Sequence, residues 1–284
     1  MIRILGTIFA GLLGLAFGSF LNVCLSRWPQ GESVVSPRSH CRNCDHTLSW
    51  WENIPLLSWL ALRGRCRNCR SSIGWRYPLV ELAVGALWAV IAWRSYYAFF
   101  PLEFAAGMMF LAWVLVGLAV LDAEHLWLPN AMTLPGAALG FVWWFLQGEQ
   151  VGWALHVPPT PWEDAEEAGK RILAILAAAL LILLIRWIYW LIRRREGIGL
   201  GDAKLMALLA AWLGLPGALL AFGLGVVLGA LVAVVLLAIP AARTSTEGWA
   251  LKKLPLGTFL CAGGVVSALW GQPIIAAYLR WSGF

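Results

Sequence analysis

Apolar runs of about twenty residues recur along this chain, and they limit it to very few folds. They are Ile2–Leu25, Pro78–Ala98, Leu102–Leu121, Met132–Leu146, Ile172–Ile192, Leu205–Leu220, Ala221–Ile239 and Leu256–Leu279. A helix of this length spans the roughly 30 Å hydrocarbon core of a bilayer. It also satisfies its own backbone hydrogen bonds where no water can. Of the 284 residues, 61% are hydrophobic and 13% are charged. A soluble domain carries about 25% charged residues. The 19 Trp fit the same class, because indole rings favour the membrane–water interface. The expectation is an all-α polytopic membrane protein of about eight transmembrane helices. The break Gly214-Leu215-Pro216-Gly217 leaves the limits of the sixth helix open. No internal repeat and no low-complexity tract is evident.

Charge orients these helices. Residues 27–77 form the one long polar stretch, with Arg27, Arg38, Arg42, Arg63, Arg65, Arg67, Arg70 and Arg76 against Glu32, Asp45 and Glu52. The positive-inside rule places this stretch in the cytoplasm and the N-terminus outside. The first run lacks a cleavage signature and is expected to remain as a membrane helix. Gly148 to Gly169 carries Glu149, Glu163, Asp164, Glu166 and Glu167 and reads as an acidic outer loop. Arg193-Arg194-Arg195 returns the chain to the cytoplasm, and residues 241–253 form a second cytoplasmic loop. The net charge of +6 is gathered in such loops and does not point to nucleic acid. The expected domains are a first membrane helix (1–26), a cytoplasmic metal-binding domain (27–77) and a membrane catalytic domain (78–284).

Four of the six cysteines form two tight pairs, Cys41-Arg-Asn-Cys44 and Cys66-Arg-Asn-Cys69. Each pair sets two thiolates on one turn, and two such turns complete a tetrahedral Zn²⁺ site. A cytoplasmic loop disfavours structural disulfides. A redox pair and unbonded thiols are the competing readings, and zinc is favoured over both. With four protein ligands the site is closed, hence structural. His40 and His46 flank the first pair and are read as neighbours of the site, not ligands. Cys24 and Cys261 sit in apolar surroundings as small buried hydrophobes.

Two carboxylates stand at helix ends, where an ionisable residue needs a reason. Asp122 closes the third run, and Asp202 follows the glycines of Gly199-Leu200-Gly201-Asp202. The count of crossings puts both on the cytoplasmic side. Two carboxyls sharing a site can hold one proton between them, so that one activates water while the other polarises a scissile carbonyl. The glycines let the backbone approach a substrate closely. Helix capping is the alternative role for each aspartate and is compatible with catalysis. The glycines at 6, 11, 14 and 18 give the first helix a small-residue packing face. Asn22, near its end, is read as capping or lining a polar site. Glu81 is read as pairing with Arg76 or binding an amine.

The chain resembles the type IV prepilin peptidases, membrane aspartic proteases of the G-x-G-D group. The resemblance rests on Gly18-Ser19-Phe20-Leu21-Asn22-Val23, the two C-x-x-C pairs, and Tyr77-Pro78-Leu79-Val80-Glu81. It continues in Leu121-Asp122 with Leu128-Pro129, in Gly199-Leu200-Gly201-Asp202-Ala203-Lys204-Leu205, and in Leu254-Pro255-Leu256-Gly257-Thr258-Phe259. Asn130 stands where the family usually has Asp, and Arg replaces Pro after the first cysteine of each pair. The resemblance implies cleavage of the basic leader of prepilins and pseudopilins, catalysed by Asp122 and Asp202. It implies a multi-pass protein of the bacterial inner membrane serving type IV pili or type II secretion. The cysteine loop is that of bifunctional members, which also N-methylate the new N-terminus with S-adenosyl-L-methionine. No glycine-rich nucleotide fingerprint marks a site for that cofactor. A transporter or channel using the aspartates as ion sites is the alternative, although few polar groups lie at mid-helix depth.

Overall fold

The computed structural model describes residues 1–98, 101–154, 161–195, 197, 199–238 and 254–283. The basic loop expected at residues 241–253 lies outside the described residues. No strand occurs among the described residues, whose helices are α1 (Ile2–Arg27), α2 (Leu57–Ala61), α3 (Arg76–Ala98), α4 (Leu102–His125), α5 (Asn130–Ala154), α6 (Pro161–Arg193), α7 (Leu200–Ala238) and α8 (Leu256–Ser282). Six of them are long and apolar enough to cross a membrane. Large side chains such as Phe9 and Leu12 on α1, Leu173 and Leu180 on α6, and Val227 and Val234 on α7 point outward. Water would penalise that surface, and lipid accepts it. The chain is a multi-pass membrane protein, and its contacts divide it into two units, Met1–Gly117 and Leu118–Phe284.

In the first unit, α1 and α3 pack antiparallel through the expected small-residue face. A methyl group added at Gly14 would stand 2.9 Å from the Cα of Gly85, and one added at Gly18 would stand 2.7 Å from the Cα of Glu81. Backbones this close leave no volume for a side chain, which is why glycine recurs there. The Asn22 amide donates to the carbonyl of Tyr77 at 2.9 Å and ties the end of α1 to the start of α3. The segment between them is largely irregular and is held by turns and by the short α2.

In the second unit, α7 is broken at Gly214, whose φ of 73° and ψ of 175° are open to glycine alone. Gly201, at the start of α7, and Gly257, at the start of α8, both lie against Leu128. Beyond the break, Gly217, Gly225 and Gly229 pack in turn against Ser267, Leu260 and Phe259. Thus α7 leaves the Leu128 end along its first half and returns to it along its second. The turn falls at Gly214, not between Leu220 and Ala221 as hydropathy suggested. Leu220 and Ala221 lie inside an unbroken helix, and it is Gly214 that takes the turning conformation. With α5 included and α7 counted as two, eight helical rods run through the described residues.

Of the acidic stretch expected as a loop from Gly148 to Gly169, the beginning belongs to α5, which runs to Ala154, and the part from Pro161 onward belongs to α6. Pro161 opens α6 with its fixed φ, and Glu163 and Asp164 face the positive end of the helix dipole. Glu166 and Glu167 then pair with Lys170 at 3.0 and 2.7 Å, one turn further on.

Candidate functional site

Asp122 and Asp202 both belong to the second unit, and the fold brings them to one end of it. Asp122 lies three residues before the end of α4, and Asp202 is the third residue of α7. Both are buried. Their connection runs through Leu128, which touches Gly201 on one side and Gly257 on the other.

Each carboxylate is also held by the backbone of a helix start. The Thr258 N–H donates to Asp122 Oδ2 at 2.8 Å, and the Thr258 hydroxyl reaches the same oxygen at 3.3 Å. That hydroxyl also donates to the carbonyl of Ala119 at 2.9 Å. Asp122 therefore caps α8, a helix 136 residues further along the chain, not the turn that follows it. A methyl group at Gly257 would stand 2.9 Å from Asp122 Oδ2, so glycine there keeps the carboxylate accessible. Asp202 Oδ2 accepts the Gly199 N–H at 3.1 Å, closing the glycine turn onto its own helix. Lys204 donates to Asn130 at 2.6 Å, so the asparagine keeps a polar link to the glycine-aspartate helix. Sequence reading assigned no role to Gly257 or Thr258. The signal present was a small residue and a hydroxyl opening a helix directly after Pro255.

The cysteine centre belongs to the first unit. The four Sγ atoms of Cys41, Cys44, Cys66 and Cys69 lie within 4.8 Å of one another and could hold a metal ion. All four cysteines are free of disulfides. The two C-R-N-C turns share one conformation. Cys41 N–H donates to the carbonyl of His46 and Cys66 N–H to that of Ser71. Asp45 and Arg70, each just after its second cysteine, both take positive φ. The repeated asparagine also has a role. Asn43 donates to Cys69 Sγ at 3.5 Å, and Asn68 donates to Cys44 Sγ at 3.6 Å, so each turn supports a sulfur of the other.

These donors favour thiolates. The Ser71 hydroxyl draws the Cys69 thiol down to about 5. Cys41, against partial desolvation, is lowered by the Asn43 backbone and Ser71. Cys44 accepts a backbone hydrogen bond from His46 yet is held up by its cysteine neighbours. Four thiols this close ionise together only around a cation. His46 lies 3.3 Å from Glu52, and His40 lies 3.1 Å from the carbonyl of Arg38, so both imidazoles are engaged outside the sulfur cluster.

Two sites on an all-helical membrane frame define the class: a polytopic membrane protein carrying a buried aspartate pair and a four-thiol centre. Residues 12–95 match the bacterial peptidase A24 N-terminal domain, and residues 109–234 match the type IV leader peptidase family. A prepilin leader peptidase/N-methyltransferase of Stutzerimonas stutzeri is 34% identical, over 95% of this chain and 93% of that protein. Its namesake in Pseudomonas putida is 35% identical, over 97% and 94%. That of Burkholderia pseudomallei is 36% identical, over 93% and 85%. No solved structure matches the chain. The chain belongs to the type IV leader peptidase family.

Proposed function

We propose that this protein cleaves the leader peptide of type IV prepilins and pseudopilins and then N-methylates the new N-terminal residue. The observation that carries the peptidase reading is that Gly257, which lies beside Asp122, and Gly201, which directly precedes Asp202, both pack on Leu128, although the two aspartates stand 80 residues apart in sequence. The relatives' shared name supports both activities. The cleavage takes place at the cytoplasmic face of the inner membrane, where the arginine-rich segment 27–77 and the arginines after α6 would lie.

The chemistry follows from the pair. Two carboxyls at close quarters carry one proton between them. The ionised member takes a proton from water, whose oxygen attacks the scissile carbonyl carbon. The protonated member donates to the carbonyl oxygen. The carbon–nitrogen bond then breaks, and the leaving amine takes up the proton held by the pair. Thr258 holds Asp122 from the α8 start and Gly199 holds Asp202 from the glycine turn, so each carboxylate keeps one oxygen anchored and one for chemistry.

The metal is Zn²⁺. Four thiolates at about 2.3 Å from a tetrahedral centre stand roughly 3.8 Å apart. The Cys41–Cys69 and Cys44–Cys66 sulfurs are separated by 3.8 and 4.0 Å. With all four positions taken by protein, zinc would organise the segment and take no part in hydrolysis. The methyl donor is S-adenosylmethionine. The test is to incubate purified protein with a prepilin, with and without S-adenosylmethionine, and weigh the product. Leader loss alone without the donor, and a further methyl group with it, is the expected result. An intact prepilin would sink the assignment.

A further inference from the structure

The two carboxylates of the second unit are held unequally. Asp122 is tied to a distant element, α8, by the Thr258 N–H and hydroxyl. Asp202 is held locally. Its Oδ2 accepts the N–H of Gly199, three residues back, at 3.1 Å, and that bond fixes the carboxylate within its own turn. Where the turn itself stands relative to Asp122 is set by contacts elsewhere on α7.

Packing supplies part of that restraint. Ala203, Leu205 and Met206 are buried, and a methyl group at Gly201 would stand 3.0 Å from Leu128 Cβ. Apolar burial is non-directional, so it holds α7 in place without fixing its rotation or its advance along its axis. A hydrogen bond is directional and can fix both. Lys204 makes one. Its ammonium, two residues beyond Asp202, donates to Asn130 Oδ1 at 2.6 Å, across 74 residues of sequence.

Asn130 stands on a stiff base. It follows Leu128, against which Gly201 and Gly257 both pack, and Pro129, whose ring fixes φ. The Pro129 carbonyl accepts the N–H groups of Met132 and Thr133 and the hydroxyl of the fully buried Thr133, each at 3.1 Å. Lys204 therefore braces the start of α7 against a fixed start of α5. We propose that Asn130 and Lys204 are positioning residues for Asp202, whose hydrogen bond sets the register of the glycine turn and so the placing of one carboxylate relative to the other. The proposal rests on the peptidase reading given above and adds the pair that aligns it. Loss of the bond lets the turn leave its register for part of the time, and rate is sensitive to such displacement.

Leader cleavage by the purified full-length protein in detergent, resolved into kcat and KM, tests it. Asn130 is exposed, so Asn130→Ala removes the acceptor with little effect on folding. Lys204→Met removes the donor and keeps an unbranched stem, and Asn130→Ala carries the test alone if that variant does not fold. Each is expected to lower kcat about threefold to tenfold, the scale of one hydrogen bond, with KM and melting temperature unchanged. The double variant should fall no further than either single one, since both remove the same bond. Asn130→Asp keeps an acceptor and should cleave at least as fast as the wild type. A wild-type kcat in Asn130→Ala, additive losses in the double variant, or an Asn130→Asp as slow as Asn130→Ala would each overturn the proposal. A raised KM at constant kcat would assign Lys204 to substrate binding and overturn it too. In all of these the wild type cleaves prepilin and the peptidase reading stands, whereas a wild type that leaves prepilin intact would overturn both.

Discussion

Thr258 is the residue through which α8 acts on the carboxylate pair. Its N–H and hydroxyl both address Asp122 Oδ2, and its hydroxyl is anchored in turn on Ala119. Thr258→Val retains the backbone bond and loses the hydroxyl. We expect kcat for leader cleavage to fall about tenfold, the worth of one hydrogen bond to a charged group, with KM unchanged and Thr258→Ser restoring the rate. A shift in KM alone would show that the hydroxyl serves substrate binding instead. Asp122→Asn and Asp202→Asn each keep an oxygen for the N–H they accept, so folding is spared while the dyad is lost. Cleavage should drop by at least about a hundredfold in either variant, measured as processed against unprocessed prepilin in membranes. Near-normal processing by either would remove that residue from the mechanism.

At the scale of elements, the molecule depends on glycine where two backbones meet or one turns back. Gly18 lies where α1 meets Glu81 on α3, and an added methyl would stand 2.7 Å from that Cα. Gly18→Leu should destabilise the first unit by about 1–3 kcal/mol or more, the usual result of overpacking, read as a lower melting temperature in detergent. Gly214 turns α7 back at φ 73° and ψ 175°, with the Arg171 guanidinium 2.6 Å from where a methyl group would sit. Gly214→Ala should cost about 1–3 kcal/mol in backbone strain alone, seen in the same melting experiment. The cysteine turns form a third element, stabilised reciprocally by Asn43 and Asn68. Replacing both by Ala should speed zinc release to a chelator, while replacing Arg42 and Arg67 should leave it near the wild-type rate.

For the whole molecule, the two clusters of functional residues follow the division of contacts. The cysteine centre and a cavity of about 470 Å³ lie in Met1–Gly117, and the aspartate pair lies in Leu118–Phe284. The two matching family regions fall the same way, at 12–95 and at 109–234, with the second beginning a few residues before the boundary. Cys41 and Cys66 belong to both the sulfur cluster and the cavity wall. Stripping the metal with a chelator should therefore loosen that wall and lower the melting temperature. A melting temperature untouched by complete metal removal would deny the metal a structural role.

Much of this protein could be read before any fold was known. Hydropathy is a local property, so runs of twenty apolar residues announced membrane helices, and the eight rods follow. The thiols of a C-x-x-C pair lie close by covalent geometry, so two such pairs announced a four-sulfur centre. Asp122 and Asp202 stood out locally as carboxylates at the ends of apolar runs, and Leu128 packs against the glycines beside both, Gly257 and Gly201. The tertiary structure decided the rest. Hydropathy registers how long an apolar run is but not where it bends, so the turn of α7 moved to Gly214. Polarity alone suggested a loop at Gly169 and before it, whereas pairing along a helix face made that stretch part of α6. The cap that Asp122 gives α8 spans 136 residues, and the Asn22 amide meets the Tyr77 carbonyl across 55. Such pairings leave no local pattern, because they depend on which distant surfaces pack together.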